Sequence, residues 1–219
     1  MEPPAAVTAR ETPYAFGPAL RRRLARNLAT LGPERVDDPA LRRAATALVV
    51  APFEDGGAGF FLTLRPTAMR RHGGQFALPG GRLDDGESVV AAALRELEEE
   101  IGLRLTPDDV VGTLDDFPTR SGFAITPTVF WADDPPALRP DPAEVAAVYR
   151  IPLAELDLPG VPTLGRGKGE DPLISLTLPT IGHAIFAPTA AVIYQFREVA
   201  MNGRPVRVAA FEQPVFAWS

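Results

Sequence analysis

The chain has 219 residues, 46% of them hydrophobic, and a formal net charge of −6. That length supports one domain with a real core plus an extension, and the acidic balance excludes a general nucleic-acid binder. With no cysteine and two histidines, disulfides, thiolate metal sites and cysteine nucleophiles are excluded, and a histidine-rich metal site is disfavoured.

No apolar run is long enough to span a bilayer. The first residues lack a basic segment followed by an apolar one, so no signal peptide is expected. The expectation is a cytoplasmic protein with no membrane partner.

Residues 1–13 are small, polar and proline-bearing, and are expected to be mobile. Pro18 to Leu31 predicts a helix with Leu20, Leu24, Leu28 and Leu31 on one face. Arg21, Arg22, Arg23 and Arg26 surround that face, which reads as an amphipathic helix docked on the domain. An N-terminal extension over 1–43 and a main domain over 44–219 follow from this break in pattern.

Ala45–Phe53 and Phe60–Arg65 are short apolar runs separated by a Glu-Asp-Gly-Gly turn signal, and predict a strand pair. Val110–Asp116 and Ile125–Ala132 predict further strands, with a loop over Phe117–Gly122. Asp133–Pro142 is a rigid proline-rich connection. Leu158–Pro172, with four glycines, predicts a flexible loop. Leu173–Leu178 and Ala184–Ala187 are apolar stretches, Thr189–Val199 a closing helix, and Val206–Phe211 and Val215–Trp218 candidate terminal strands. Pattern alone gives an α/β or α+β class.

The most informative stretch is Gly81–Leu103. Val90, Leu94, Leu97 and Ile101 form one apolar stripe at helical period. Gly102 follows the last of them, where helices commonly end in a left-handed residue. At about 100° per residue, Glu96, Glu99 and Glu100 share one arc away from the stripe, while Glu98 falls elsewhere and is solvated. Ala92 and Ala93 lie one turn earlier near that arc and leave room for something bulky. Three acids at a helix C-terminus oppose the macrodipole and repel one another. A divalent cation would remove both penalties, and such local conflicts mark functional sites.

The spacing Gly81, Glu87, Arg95-Glu96-Leu97, Glu99-Glu100, Gly102-Leu103 resembles the complete Nudix box. Glu144–Pro152 resembles the late Nudix segment, in which a Glu-Val pair precedes a strand ending in Ile-Pro-Leu. The resemblance implies the Nudix fold, a mixed β-sheet between helices. It implies hydrolysis of a nucleoside diphosphate linked to another group, with Mg²⁺ or Mn²⁺. By resemblance Glu96 and Glu100 are direct metal ligands, and Glu99 is a ligand or a partner of metal-bound water. Gly81 offers its backbone carbonyl. Arg95 orients the glutamates and Glu87 has a structural role. The base is a metal-bound hydroxide assisted by Glu99, or a loop acid such as Glu144. Replacing Glu100 by Gln should abolish turnover with the fold intact, on the expectation that this carboxylate is exposed. A homodimer is open, since many members of the superfamily are dimers.

The residues before the box narrow the substrate. Leu62-Thr63-Leu64-Arg65, then Arg70, His72, Gly74 and Gln75 ahead of Pro79-Gly80-Gly81, resemble the coenzyme A diphosphatase pattern. Pro66, Met69, Phe76 and Leu78 depart from it, and Ile185–Ala190 resembles a further segment of the subgroup with two changes. The resemblance implies coenzyme A or acyl-CoA as substrate. Arg65, Arg70 and His72 with Gln75 are then the substrate-binding candidates, as arginine binds phosphate bidentately. Loop anchoring is the competing role for His72 and Gln75, and a solvated surface position for Arg71. ADP-ribose, a dinucleotide such as NADH, or another nucleotide is the rival substrate. A non-catalytic nucleotide-binding module is the rival class.

Overall fold

Short and β-branched side chains let the central strand β1 (Arg42–Pro52) bury both of its faces. The computed structural model describes residues 14–53, 55–67, 73–166 and 172–214. Expectations for residues 1–13, for Met69–His72 and for the Val215–Trp218 strand lie outside the described residues.

β1 pairs antiparallel with β2 (Ala58–Leu64), through the turn signalled by Asp55–Gly57. On its other side it runs parallel to β7 (Phe123–Trp131). β3 (Phe76–Ala77) and β8 (Ala147–Pro152) pair with β2. β4 (Gly80–Arg82) pairs with β1, and β5 (Val110–Thr113) and β6 (Phe117–Pro118) pair with β7. One parallel pairing among antiparallel ones makes the sheet mixed, as expected.

Period-2 alternation divides β1 between two cores. Ala45, Ala47, Val49 and Ala51 face helix α2 (Val89–Ile101), with Leu97, Ile101 and Phe130. Leu48 and Val50 face the opposite layer. That layer holds helix α1 (Pro18–Ala29), helix α3 (Thr189–Gln195) and the π-helical turn Phe196–Met201 that continues it. The sheet therefore lies between helices.

Helix α1 buries Leu20, Leu24 and Leu28, the face its leucine spacing predicts. It comes so close to β5 that a Cβ on Gly112 would lie 2.9 Å from Leu28 Cβ. β5 is irregular at this point, between Val110 and Gly112. Arg23 lies over the Tyr14 ring, 5.4 Å from its centroid. Leu24 is fully buried. Leu24→Ala should lower stability by about 2–5 kcal/mol, the usual cost of such a core deletion, read as a lower urea midpoint.

Four expectations are corrected. Phe117–Gly122 is not wholly a loop, because Phe117–Pro118 forms β6 against β7. The stretch Leu158–Pro172 is not wholly a loop, because Thr163–Arg166 forms β9 against β10 (Pro172–Thr177). With β11 (Ala184–Phe186) these make a small second sheet. Val206–Phe211 forms no strand; nearby there is only an isolated bridge between Leu173 and Glu212. Ala92 and Ala93 leave no open space, since both are fully buried in the core under α2, where only a small side chain lets the helix approach β1.

Among the described residues no helix is long and apolar enough to cross a membrane.

Candidate active site

Two devices at its ends hold helix α2 in place. Ser88 caps its start, accepting the Ala91 N–H at 3.2 Å. Gly102 ends it at φ 69°, with its N–H on the Glu98 carbonyl at 3.0 Å and the Leu103 N–H on the Leu97 carbonyl at 3.1 Å. The proline-rich connection then satisfies two more carbonyls. The Arg139 N–H donates to Ile101 at 2.8 Å and the Asp141 N–H to Glu100 at 3.0 Å.

This last turn carries the glutamates. Glu100 faces inward and is only 2% exposed, against the expectation of an exposed carboxylate. One helix face thus serves both the core and the site, because Glu100 follows directly on the arc of Ala93 and Leu97. Its Oε1 is 3.7 Å from Arg65 Nη1, the Gly80 backbone N–H acts on the carboxylate, and among the described residues its buried Oε2 has no partner. Burial pushes the Glu100 carboxyl up to about 8; Arg65 opposes the shift, and Glu96 and Glu144 add to it. Glu96 is raised too, chiefly by burial, with Arg95 opposing. Glu99 is exposed. Glu98 pairs at the surface with Arg104, as expected of a solvated position.

Arg95 gathers the acids. Its Nη1 lies 2.8 Å from Glu96 Oε1 and 3.1 Å from Glu99 Oε2, and its Nη2 lies 3.0 Å from Glu87 Oε2. Glu87 Oε2 also accepts the Asp84 N–H at 2.9 Å, fixing the loop before the helix. The Arg95 hydrogen bond holds the Glu87 carboxyl below its ordinary value.

Gly81 faces this cluster across β4. A Cβ there would lie 2.1 Å from Glu96 Oε1, so only glycine admits the carboxylate. Its neighbour Gly80 approaches β1, where a Cβ would lie 2.2 Å from the Ala45 carbonyl oxygen. The Pro79-Gly80-Gly81 turn is thereby pressed onto the sheet, and the Ala47 N–H donates to the Pro79 carbonyl at 2.8 Å.

Arg65 and Gln75 enter the site together from β2 and the loop after it. The Arg65 N–H donates to the Gln75 carbonyl at 3.0 Å, and the Gly74 N–H to the Arg65 carbonyl at 3.1 Å. Both residues line a cavity of about 240 Å³ that also reaches Gly81. Arg70, Arg71 and His72 lie outside the described residues.

The fit to a divalent ion rests on the donor set. Hard carboxylate oxygens suit Mg²⁺ or Mn²⁺. A buried carboxylate oxygen without a partner is costly unless a cation or donor meets it. Among the described residues, no three acidic or histidine side chains stand in a ready cation-holding group. Arg95 pairs with Glu96 and Glu99, through oxygens that a cation would also take.

The NUDIX domain profile matches residues 42–168. This is more than half of the 219 residues, and the chain belongs to the NUDIX family. It is 38% identical over 117 residues to the uncharacterized Nudix hydrolase NudL of Cronobacter sakazakii, covering 53% of this chain and 61% of that one. Against the protein of the same name from Escherichia coli O1:K1 it is 34% identical over 122 residues, covering 55% and 64%. The match therefore spans less than two thirds of each relative. Among solved structures, it resembles a MutT/nudix family protein from Enterococcus faecalis at TM-score 0.46 and 16% identity, covering 80% of this chain and 66% of that one. The MutT protein of Methanosarcina mazei Go1 gives TM-score 0.44 at 22% identity, covering 60% and 88%.

Proposed function

We propose that the chain hydrolyses the diphosphate bond of coenzyme A or an acyl-CoA, giving 3′,5′-ADP and 4′-phosphopantetheine or its acyl form. The observation that carries this reading is the juxtaposition at Glu100. A buried carboxylate with an unpartnered oxygen faces Arg65, the arginine of the coenzyme A diphosphatase pattern, beside a cavity. The uncharacterized NudL proteins are named as Nudix hydrolases, which agrees with a hydrolytic role.

Glu96 and Glu100, with the Gly81 carbonyl, would hold Mg²⁺ or Mn²⁺, and Glu99 would ligate it or accept from its bound water. Such an ion supplies charge neutralisation on the phosphate oxygens and a water acidic enough to be deprotonated. Arg95 keeps Glu96 and Glu99 on one side of α2 through its two charge-assisted contacts. Arg65 projects a cation from the end of β2 into the cavity and would take a phosphate oxygen. Arg70 and His72 would bind the substrate, and Gln75 would hold the loop or touch the substrate. The water's proton would pass to Glu99 or to Glu144, whose charge acts on both Glu96 and Glu100. Residues 1–43 would act as an extension and 44–219 as the hydrolase domain.

Chromatography of products from purified protein with Mg²⁺ tests the reading, with coenzyme A, acetyl-CoA, NADH, ADP-ribose and dGTP supplied separately. The expected result is 3′,5′-ADP, formed fastest from coenzyme A or its ester. AMP from ADP-ribose or NADH alone would overturn the coenzyme A assignment while keeping the glutamate chemistry. Nucleotide binding with no product from any substrate would favour a binding module.

A further inference from the structure

Phe76 stands between two cavities. One is the cavity of about 240 Å³ beside Gly81, walled largely by aliphatic groups from Ala44, Ala77, Leu78, Ile125 and Val192. The other, of about 490 Å³, is bordered by Phe76, Tyr149 and His183. Gln75, Phe76, Pro188 and Thr189 line both, so the two meet close to Arg65. The larger one falls in the usual range for ligand sites, roughly 300–1,000 Å³.

The three rings make up an aromatic wall of this cavity. Phe76 and His183 are 27° from parallel with centroids 6.4 Å apart. A base sandwiched between two rings needs at least about 7 Å, so a purine would stack against this wall from the cavity side. Tyr149 closes one side, edge-on to Phe76 at 5.5 Å. The Phe76 backbone is fixed in β3, and its carbonyl accepts from Thr189 Oγ1 at 3.3 Å. His183 is exposed and follows Gly182, whose φ of 64° belongs to a turn. One ring of the wall is therefore anchored and another sits on a surface turn.

We propose that the aromatic wall of Phe76, Tyr149 and His183 is the nucleobase subsite, leaving the aliphatic cavity for the non-nucleotide arm of the substrate. The assignment rests on the coenzyme A reading for the identity of the two arms. Flat aromatic faces favour a purine, and a narrow aliphatic cavity favours a thin flexible chain. Thr46 lines the aliphatic cavity, and its Oγ1 is buried without a partner, a group that an amide-bearing arm would satisfy. The diphosphate then falls at the junction, next to Arg65.

The test is His183→Ala, a substitution at an exposed turn, with His183→Phe as the ring-restoring partner. His183→Ala should raise KM for coenzyme A about tenfold, in the range set by base stacking, with kcat changed less than about threefold. Competitive inhibition by 3′,5′-ADP should weaken by the same factor, and inhibition by 4′-phosphopantetheine should not. His183→Phe should restore both. Weakened 4′-phosphopantetheine inhibition, or unchanged inhibition by both products, would overturn the assignment. If wild-type protein leaves coenzyme A intact, the substrate reading fails separately. Calorimetric binding of AMP then decides the subsite: loss of binding in His183→Ala supports it, and equal binding or none in wild-type protein overturns it.

Discussion

Glu100→Gln should lower Mg²⁺-dependent turnover by about 10³-fold and leave a folded protein. A metal ion contributes several kcal/mol of charge stabilisation, and each 1.4 kcal/mol or so is a factor of ten in rate. The amide keeps the size of the side chain but loses the charge that would hold the ion. Turnover within tenfold of wild type would sink the ligand assignment. The same variant has a second, independent readout, because Glu100 is buried rather than exposed. Burial raises its carboxyl to about 8 in the folded protein. Between the ordinary carboxylate range and that value, the folded state binds more protons than the unfolded state. This contribution to stability is therefore fully present below the ordinary range and is lost as pH rises through about 8. Metal-free wild type should lose stability relative to Glu100→Gln as pH rises over this window, by at most about 1.4 kcal/mol per pH unit. Urea midpoints of the two proteins, measured with chelator at pH 5 to 8.5, give the difference directly. Parallel curves would mean that Glu100 is already ionised without metal, with Arg65 as sufficient counter-ion.

Periodicity decided what could be read from the sequence. The 3.6-residue repeat placed α1 and α2, and Gly102 marked the end of α2. Short continuous apolar runs marked β1, β2 and β7. The role of Arg95 as orienter of the glutamates came from the resemblance, while its contact with Glu87, ahead of the helix, was not foreseen. Features formed across long sequence separations were not legible. Asp116 is buried against Arg35, Arg43 and Thr126, at 3.2, 3.0 and 2.6 Å. Beside it Asp115 holds Gln195 and Arg207, each at 2.6 Å. In the sequence these are two acids at the end of a predicted strand. Only the approach of the segment after α1 and of the C-terminal region makes them a buried junction. The backbone amides of Arg139 and Asp141 carry no sequence signal for capping α2, since any residue but proline has that donor. Glu100 misled for a related reason. Helical angle separates it from the narrow leucine and isoleucine stripe, but the buried face is widened by Ala92 and Ala93. Small residues there brought the backbone close to β1 and took the glutamate inward.

Gly81→Ala and Gly80→Ala should fail in different ways, although the residues are adjacent. At Gly81 the added methyl meets Glu96 Oε1 at 2.1 Å, the far end of a flexible side chain. The side chain can swing away, so folding survives while Glu96 leaves its place beside Arg95. A displacement of about 1 Å at a reacting centre can cost about 10²-fold in rate, and kcat should fall by roughly that factor with little change in the urea midpoint. At Gly80 the methyl meets the Ala45 carbonyl oxygen at 2.2 Å and Thr46 Cα at 2.7 Å. Neither can move without shifting β1, the central strand that both cores share. Overpacking against backbone costs about 1–3 kcal/mol or more, so Gly80→Ala should lose stability first and activity as a consequence. The comparison separates a catalytic glycine from a structural one by whether the obstacle is a side-chain tip or a strand. If Gly81→Ala turns over substrate at the wild-type rate, the position of Glu96 opposite Gly81 has no part in the chemistry. The metal assignment would then have to rest on Glu99 and Glu100 alone.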